Sequence, residues 1–354
     1  MGPSEEKVVV CIGFPALHGP ESVAALRAID PRVEPVLLPV DPGSDWLSAA
    51  PADPHQEPPP WALAVAAERK AALERAEVLV ALHTPRDLMS LAPRLRWVQS
   101  VGAGVDGWVA AGVSSDRVVV TNCSGLGARG IAEFVMGRLL EVWKNFRAID
   151  QAQRERTWKG AYGRTLAGTT MGIVGLGAIG EEVAVRARAF GVKVLAMKRS
   201  FRSGMTSPLA DELFGPGELH AMLARCDSVV VAAPHTPETE RMIDAAAIAA
   251  MPKGSVLVNV ARGPLVDSPA LVHAMREGHL GAAILDVFEE EPLPESSPFW
   301  DLPNTYVSPH AAVAVDRYVE DVLGFVAENV RRYVRGEPLR NEVDMGALGF
   351  RKSV

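Results

Sequence analysis

Cysteine is nearly absent from this chain of 354 residues: Cys11, Cys123 and Cys226 are all it has, far apart and without a C-x-x-C pair. So odd and scattered a set excludes a disulfide framework, offers no zinc site and suits a reducing, cytoplasmic location. A basic surplus is lacking too. The 36 Lys and Arg stand against 43 Asp and Glu, a formal net charge of −7. With no long basic run, neither nucleic acid nor an anionic membrane is expected as the main partner. No apolar run approaches the roughly 18 residues of a membrane span. The stretch Val8 to Ile12 is short and follows Glu5 and Glu6, whereas a secretory signal has a basic start and a longer apolar core. Glu6 also stands where a myristoylation signal has Ser or Thr. What is present is 48% hydrophobic and 22% charged residues, the balance of a globular protein with a small-molecule partner. The length suffices for two domains, each with its own core.

Short apolar runs alternate with helix-sized segments from the start: Val8 to Ile12, Val36 to Val40, Val78 to Leu82 and Val118 to Thr121. That rhythm predicts parallel strands joined by helices. Between the second and third runs, Pro51, Pro54, Pro58, Pro59 and Pro60 crowd one stretch. Proline neither continues a helix nor donates to a ladder, so 51–60 is expected to be a surface loop, an inert insertion rather than a lid. From Ile131, the residues Phe134, Val135, Leu139, Val142, Trp143 and Phe146 recur at helical spacing, which predicts one long amphipathic helix over 131–146. A second series of strands starts at Gly172 and continues at Val192 to Met197, Ser228 to Ala233, Val256 to Val260, Ala282 to Val287 and Thr305 to Ser308. Six strands suit a dinucleotide-binding sheet. The tail from Asp316 to Arg335 is helical again, with Val322, Phe325, Val326 and Val330 on one side.

Gly175, Gly177 and Gly180 spell G-x-G-x-x-G directly after the apolar Met171 to Val174 and before an amphipathic helix over 179–190 closed by Gly191. In such a turn the first glycine permits the bend, the second lets backbone approach a pyrophosphate, and the third lets helix pack on strand. The first helical amides then face the phosphates. A lone glycine triplet is weak evidence, but the strand before it and the helix after it make it specific. Three later segments carry polar residues at strand ends: Asn259-Val-Ala-Arg-Gly-Pro-Leu-Val-Asp267, Asp286-Val-Phe-Glu-Glu-Glu-Pro292 and Ser308-Pro-His310. Parallel strands deliver these ends to a ligand crevice. Singly, Arg262 reads as a surface cap, Glu291 as a solvated acid and His310 as a hydrogen-bonded histidine. Together they fit reduction of a ketone beside a carboxylate. His310 can protonate the oxygen as hydride reaches the carbon, Glu291 favours the imidazolium and fixes its ring, and the Arg262 fork can bond both carboxylate and carbonyl. The chemistry needs no metal, and no ligand set for one is visible.

In their order, these motifs resemble the D-isomer-specific 2-hydroxyacid dehydrogenases, of the glyoxylate/hydroxypyruvate reductase-like kind. Ser100-Val-Gly-Ala-Gly-Val-Asp106, Thr121-Asn122, Ala132-Glu133, Pro234 to Thr239 and Gly336-Glu-Pro-Leu339 extend the resemblance over most of the chain. It implies an α/β fold of two doubly wound parallel-sheet domains, a Rossmann cofactor domain inserted into a discontinuous flavodoxin-like substrate domain. Residues 1–121 and 311–354 would bind substrate and 122–310 the dinucleotide, with hinges near Asn122 and Pro309. It implies Arg262 as the substrate-binding arginine, His310 as acid/base and Glu291 as its partner. The backbone of Val101, Gly102 and Ala103 would take the substrate carboxylate, Ala178 and Ile179 the pyrophosphate, and Asp286 the nicotinamide amide. Pro234, His235, Val260, Ala261 and Ala312 would line the cofactor. A homodimer built on the cofactor domain, through helix 131–146 and its Trp143, is implied as well.

The chain departs from the commonest pattern of that family in one place. Relatives that use NAD carry an acid after the second cofactor-domain strand, where it bonds the ribose hydroxyls and repels a 2′-phosphate. Here the text is Ala196-Met-Lys-Arg-Ser200, with no Asp or Glu until Asp211. Lys198, Arg199 and Ser200 therefore predict a preference for NADP over NAD. Two rivals share the frame: formate or phosphite oxidation, and a cofactor-sensing transcriptional corepressor. Formate enzymes usually carry a longer N-terminal extension, and the corepressor extended disordered tails, neither of which is expected here.

Overall fold

In the computed structural model, residues 6–39, 60–84, 87–114, 116–314 and 316–346 are described. The chain divides into two compact units. The first comprises Met1–Leu126 and Val315–Val354, and the second Gly127–Ala314. The joins fall a few residues beyond Asn122 and Pro309, because Asn122 is tied into the first unit through Ala103 and Asn341.

The first unit holds β1 (Val8–Ile12), β2 (Val33–Leu37), β3 (Val78–Ala81), β4 (Trp97–Ser100) and β5 (Val119–Thr121). All run parallel in the order β2-β1-β3-β4-β5, the flavodoxin-like order expected. Two strands differ from the apolar runs. β2 starts at Val33 and includes Pro35, which its place at the sheet edge tolerates, since an edge strand leaves one row of N–H groups unpaired. β4 was not foreseen because Gln99 and Ser100 interrupt its apolar pattern, yet both are buried. Their polarity is satisfied: Thr121 Oγ and Asn329 Nδ2 donate to Gln99 Oε1 at 2.8 and 2.9 Å, and Trp97 Nε1 donates to Thr121 Oγ at 2.8 Å. The helix Tyr318–Arg335 brings Asn329 there and buries Val322, Phe325, Val326 and Val330. Most of the Pro-rich stretch lies outside the described residues, but Pro60 opens the helix Pro60–Arg75 rather than closing a loop, because a first-turn residue has no N–H bond to lose.

The second unit holds β6 (Thr170–Val174), β7 (Lys193–Met197), β8 (Glu212–Phe214), β9 (Ser228–Val231), β10 (Val256–Asn259), β11 (Ala282–Leu285) and β12 (Thr305–Val307). These are parallel in the order β12-β11-β10-β9-β6-β7-β8. Counted from the glycine-turn strand, this is the Rossmann order with one strand added. The strand missed by sequence is β8, only three residues long, in which Glu212 is exposed and Phe214 alone is buried. Alternate residues of the central strands enter two apolar clusters, Val174 and Val231 in one, Ile173 and Val230 in the other, so both faces of the sheet are covered.

The single helix expected over 131–146 is two. Ala128–Trp143 ends where Arg164 N–H takes the Trp143 carbonyl (2.6 Å), Asn145 turns left-handed (φ 55°), and Phe146–Arg154 follows. Trp143 is buried with Leu139, Val183 and Ala187. The apolar face thought to invite a partner is therefore used inside its own unit.

Candidate active site

The glycine turn links β6 to the helix Ala178–Ala189, and its three glycines are there for three different reasons. Gly175 has φ 104°, and a Cβ on it would lie 2.7 Å from the Ala233 backbone. A Cβ on Gly180 would lie 2.2 Å from the Gly175 carbonyl oxygen, so close helix–strand packing demands glycine there. Gly177 is different: its φ of −108° suits any residue, and a Cβ would meet nothing within 4 Å. Among the described residues no contact requires glycine at 177, which fits a place kept open for a ligand. The amides of the first helical turn lack intrahelical acceptors, and no side chain caps Gly177. This cradle fits a dinucleotide pyrophosphate at Ala178, Ile179 and Gly180.

The β7 end lies against that turn, since the N–H groups of Gly175 and Leu176 both donate to Met197 O at 3.1 Å. Lys198 follows, half-buried, then Arg199 and Ser200, both exposed. Among the described residues neither cation has an ion pair within the chain. Asp211, the next acid, is committed elsewhere: one oxygen accepts Val194 N–H (2.8 Å) and the other pairs with Arg188 (3.0 Å). Those bonds, the Val194 amide first, hold its carboxyl below the usual carboxylate range. The turn after β9 places Pro234, whose carbonyl accepts Thr239 Oγ (2.8 Å), and His235, whose Nε2 pairs with Glu240. Glu238 in that turn is held low by the Thr236 hydroxyl, and Arg199 adds a smaller pull.

Arg262, Glu291 and His310 all belong to the second unit. Each follows the carboxyl end of a strand, β10, β11 and β12 in turn. Buried Val260 and Ala261 carry the chain to half-buried Arg262, where Asn259 Nδ2 donates to the Arg262 carbonyl (2.9 Å) and the guanidinium donates to Ala261 O (2.7 Å). Glu291 bridges: Oε1 accepts Phe288 N–H and Oε2 meets His310 Nδ1, each at 2.9 Å. The side chains of His310 and Glu291 keep 52% and 37% of their exposure, so the pair can reach a ligand. With Nδ1 engaged, Nε2 is the ring nitrogen left for chemistry. Asp286 is buried; its Oδ1 accepts Ser308 Oγ and Ala311 N–H (2.9 Å), and its Oδ2 accepts the N–H of buried Ala312 (3.2 Å).

The first unit, taken by itself, carries a loop after β4. The carbonyls of Val101, Gly102 and Ala103 accept Tyr318 OH (2.7 Å), Cys123 N–H (3.1 Å) and Asn122 Nδ2 (2.7 Å) respectively. A trans peptide points its N–H opposite its C=O, so the amides of Gly102, Ala103 and Gly104 face away from these anchors as a group of donors suited to an anion. Sequence reading missed Tyr318 as an anchor. Its one signal is position, as one of four tyrosines in the chain, opening the returning tail helix. Among the described residues no group of three or more His, Cys, Asp or Glu could hold a metal, no helix is long and apolar enough to cross a membrane, and the three cysteines are buried and unbridged.

The chain belongs to the D-isomer specific 2-hydroxyacid dehydrogenase family: the sequence model of that family's NAD binding domain matches residues 136–312. It is 33% identical over 295 residues to a glyoxylate reductase of Korarchaeum cryptofilum, covering 80% of this chain and 88% of that one. It is 32% identical over 278 residues to a D-3-phosphoglycerate dehydrogenase of Methanocaldococcus jannaschii, covering 77% of this chain and 52% of that one. The chain thus spans about half the length of these larger relatives. The solved NADPH-dependent glyoxylate/hydroxypyruvate reductase of Sinorhizobium meliloti, in complex with NADP and sulfate, has the same fold, with a TM-score of 0.76 at 30% identity over 97% of this chain and 100% of that one. The fold and family expected from the ordered motifs therefore hold.

Proposed function

We propose that this chain is an NADPH-preferring reductase that converts a small 2-oxo acid of the glyoxylate or hydroxypyruvate type into its D-2-hydroxy acid. The observation that carries this reading is the Glu291–His310 pair, at 2.9 Å and partly exposed in the unit that holds the glycine turn. When bound, the dinucleotide supplies the hydride that reaches the carbonyl carbon. His310 Nε2 gives a proton to the carbonyl oxygen and recovers one from solvent. Glu291 Oε2 meets Nδ1 and fixes the ring's orientation. Arg262 binds the substrate carboxylate and polarises the carbonyl, and in the Val101–Ala103 loop the amides of Gly102 and Ala103 take carboxylate oxygens, the Val101 N–H itself being bonded to Ala81 O at 2.9 Å. Gly175, Gly177, Ala178, Ile179 and Gly180 would hold the pyrophosphate, with Pro234, His235, Val260, Ala261 and Ala312 along the rest of the cofactor.

Lys198, Arg199 and Ser200 would meet the 2′-phosphate. What supports this is that the next acid along the chain, Asp211, is bound to Val194 and Arg188. Charge-assisted bonds contribute roughly 1.5–3 kcal/mol each, so a preference for NADPH of about 10-fold to 10³-fold follows. The reading includes a homodimer. Trp143 being committed internally, the second copy would meet Phe146, Ile149, Trp158 and Tyr162, apolar side chains that stand out from the second unit. A monomeric mass by light scattering at micromolar concentration would end that part.

A panel of glyoxylate, hydroxypyruvate, pyruvate, phenylpyruvate and phosphohydroxypyruvate, each with NADPH and NADH, tests the whole. The highest kcat/KM is expected for glyoxylate or hydroxypyruvate with NADPH. A tenfold preference for phosphohydroxypyruvate with NADH would move the chain toward its longer relatives instead.

A further inference from the structure

Glu291 and His310 follow the carboxyl ends of β11 and β12. At the opposite, amino ends of β9 and β10, still within the second unit, lies a cleft of about 210 Å³, open to solvent and lined by Trp143, Arg164, Asp227 and the turn 252–255. Main-chain bonds fix its walls. Arg164 N–H donates to Trp143 O at 2.6 Å, and a Cβ on the preceding Gly163 would stand 2.4 Å from that same oxygen. In the turn, Gly254 N–H donates to His279 O at 2.7 Å, and Gly281 N–H donates to Ser255 O at 2.8 Å. Val256 N–H donates to Asp227 O at 3.0 Å, which sets the two strand ends side by side. Four buried side-chain polar atoms among the described residues lack a hydrogen-bond partner, and two of them, Trp143 Nε1 and Ser255 Oγ, belong to residues lining this cleft. Those residues are only 4% and 3% exposed. A buried polar group without a partner is costly and calls for an explanation. An indole N–H can only donate, so what it lacks here is an acceptor. The Arg164 guanidinium lies 4.2 Å over the Trp143 ring. Neither it nor Lys253 forms an ion pair among the described residues. Asp227 is the one acid in the lining, its Oδ2 accepting Thr170 N–H at 2.8 Å. Two cations and one acid leave a single positive charge in excess.

From this we infer that the cleft is a second ligand site, built for a small oxyanion that presents a phosphate or carboxylate group. Such a group is all acceptor and matches a guanidinium fork. Arg164 and Lys253 supply the charge, Trp143 Nε1 and Ser255 Oγ the buried donors, and Asp227 opposes the anion. The four residues of β10 separate Ser255 from the segment that leads to Arg262, roughly 13 Å of strand at 3.3 Å per residue. The site is therefore apart from the glycine turn and from the Glu291–His310 pair. Nothing in it depends on which acid is reduced or which dinucleotide is used. An anion held here would join the end of the helix Ala128–Trp143 to the starts of β9 and β10, so occupancy stabilises the second unit.

The test follows the indole N–H resonance of Trp143 by NMR in the isotope-labelled full chain, the resonance being identified by its loss in Trp143→Phe. Inorganic phosphate and acetate are titrated separately at neutral pH, with sodium chloride holding the ionic strength constant. A saturable shift with a Kd of about 0.1–10 mM is expected. Saturation by phosphate alone identifies a phosphate group, and by acetate a carboxylate. At ten times Kd the Tm should rise by about 2–5 °C. Arg164→Gln and Lys253→Gln, at exposed positions and each checked for a cooperative melt, should weaken binding about 5-fold to 30-fold. Ser255→Ala should weaken it about 2-fold to 10-fold. Asp227→Asn should tighten it by a similar factor, which a merely structural role would not do. Arg199→Ala should leave the Kd unchanged, since the cleft is not the position expected for the 2′-phosphate. No saturable shift with either anion, a Kd unmoved in both cation variants, or a shift that tracks ionic strength overturns the inference. A resonance that moves with protein concentration and not with anion means that a second copy fills the cleft, and overturns it equally.

Discussion

The two units share one plan, a parallel sheet wound on both faces, yet they use their carboxyl ends differently. In the second unit a glycine turn opens directly into the helix Ala178–Ala189, and Arg262, Glu291 and His310 follow successive strands. In the first, the loop after β4 exposes main-chain amides because its carbonyls are tied back to Tyr318, Cys123 and Asn122. At these ends the second unit carries a paired histidine and carboxylate and a helix terminus, and the described residues of the first carry a loop of main-chain amides. The difference teaches that a doubly wound frame fixes where a ligand binds, while the residues after each strand decide whether that place does chemistry or only holds an anion.

That contrast breaks most visibly if chemistry does not reside in the second unit. His310→Asn, which keeps size and hydrogen bonding but not acid strength, should lower kcat by about 10² to 10⁴, measured by steady-state NADPH oxidation. A folded variant with unchanged kcat would remove the proton donor from the account. A smaller effect sharpens the cofactor side. Arg199→Ala should cut kcat/KM for NADPH about tenfold to a hundredfold, the value of one charge-assisted bond, and leave NADH use nearly untouched. Equal losses with both cofactors would place Arg199 away from the 2′-phosphate. The smallest effect belongs to the first unit. Tyr318→Phe removes one bond to the Val101 carbonyl, about 0.5–1.5 kcal/mol. It should raise KM for the oxo acid up to about tenfold with kcat preserved, and a fall in kcat alone would mean that this loop does more than bind.

The glycine turn was legible because its sequence states its own geometry: strand, three glycines at fixed spacing, helix. The meeting of Glu291 with His310 was legible because both follow apolar runs of a parallel sheet, whose carboxyl ends face one crevice. What escaped was whatever depended on distant partners. β4 looked too polar until Asn329, 230 residues away, accounted for Gln99. Tyr318 reaches Val101 across 217 residues, and no local pattern announces that. The break at Asn145 depends on the returning Arg164 amide taking the Trp143 carbonyl, so periodicity alone ran the two helices together. β8 was too short and too exposed to leave a hydrophobic signature. Asp286 was assigned to the nicotinamide amide through the resemblance alone, and its bonds to Ser308, Ala311 and Ala312 had no local signal in the sequence.

The most direct measurement of the central claim is the configuration of the product made from hydroxypyruvate by the purified full chain with NADPH. The account expects D-glycerate, one molecule for each NADPH consumed. L-glycerate, or no NADPH consumption with hydroxypyruvate or any other 2-oxo acid, would contradict it.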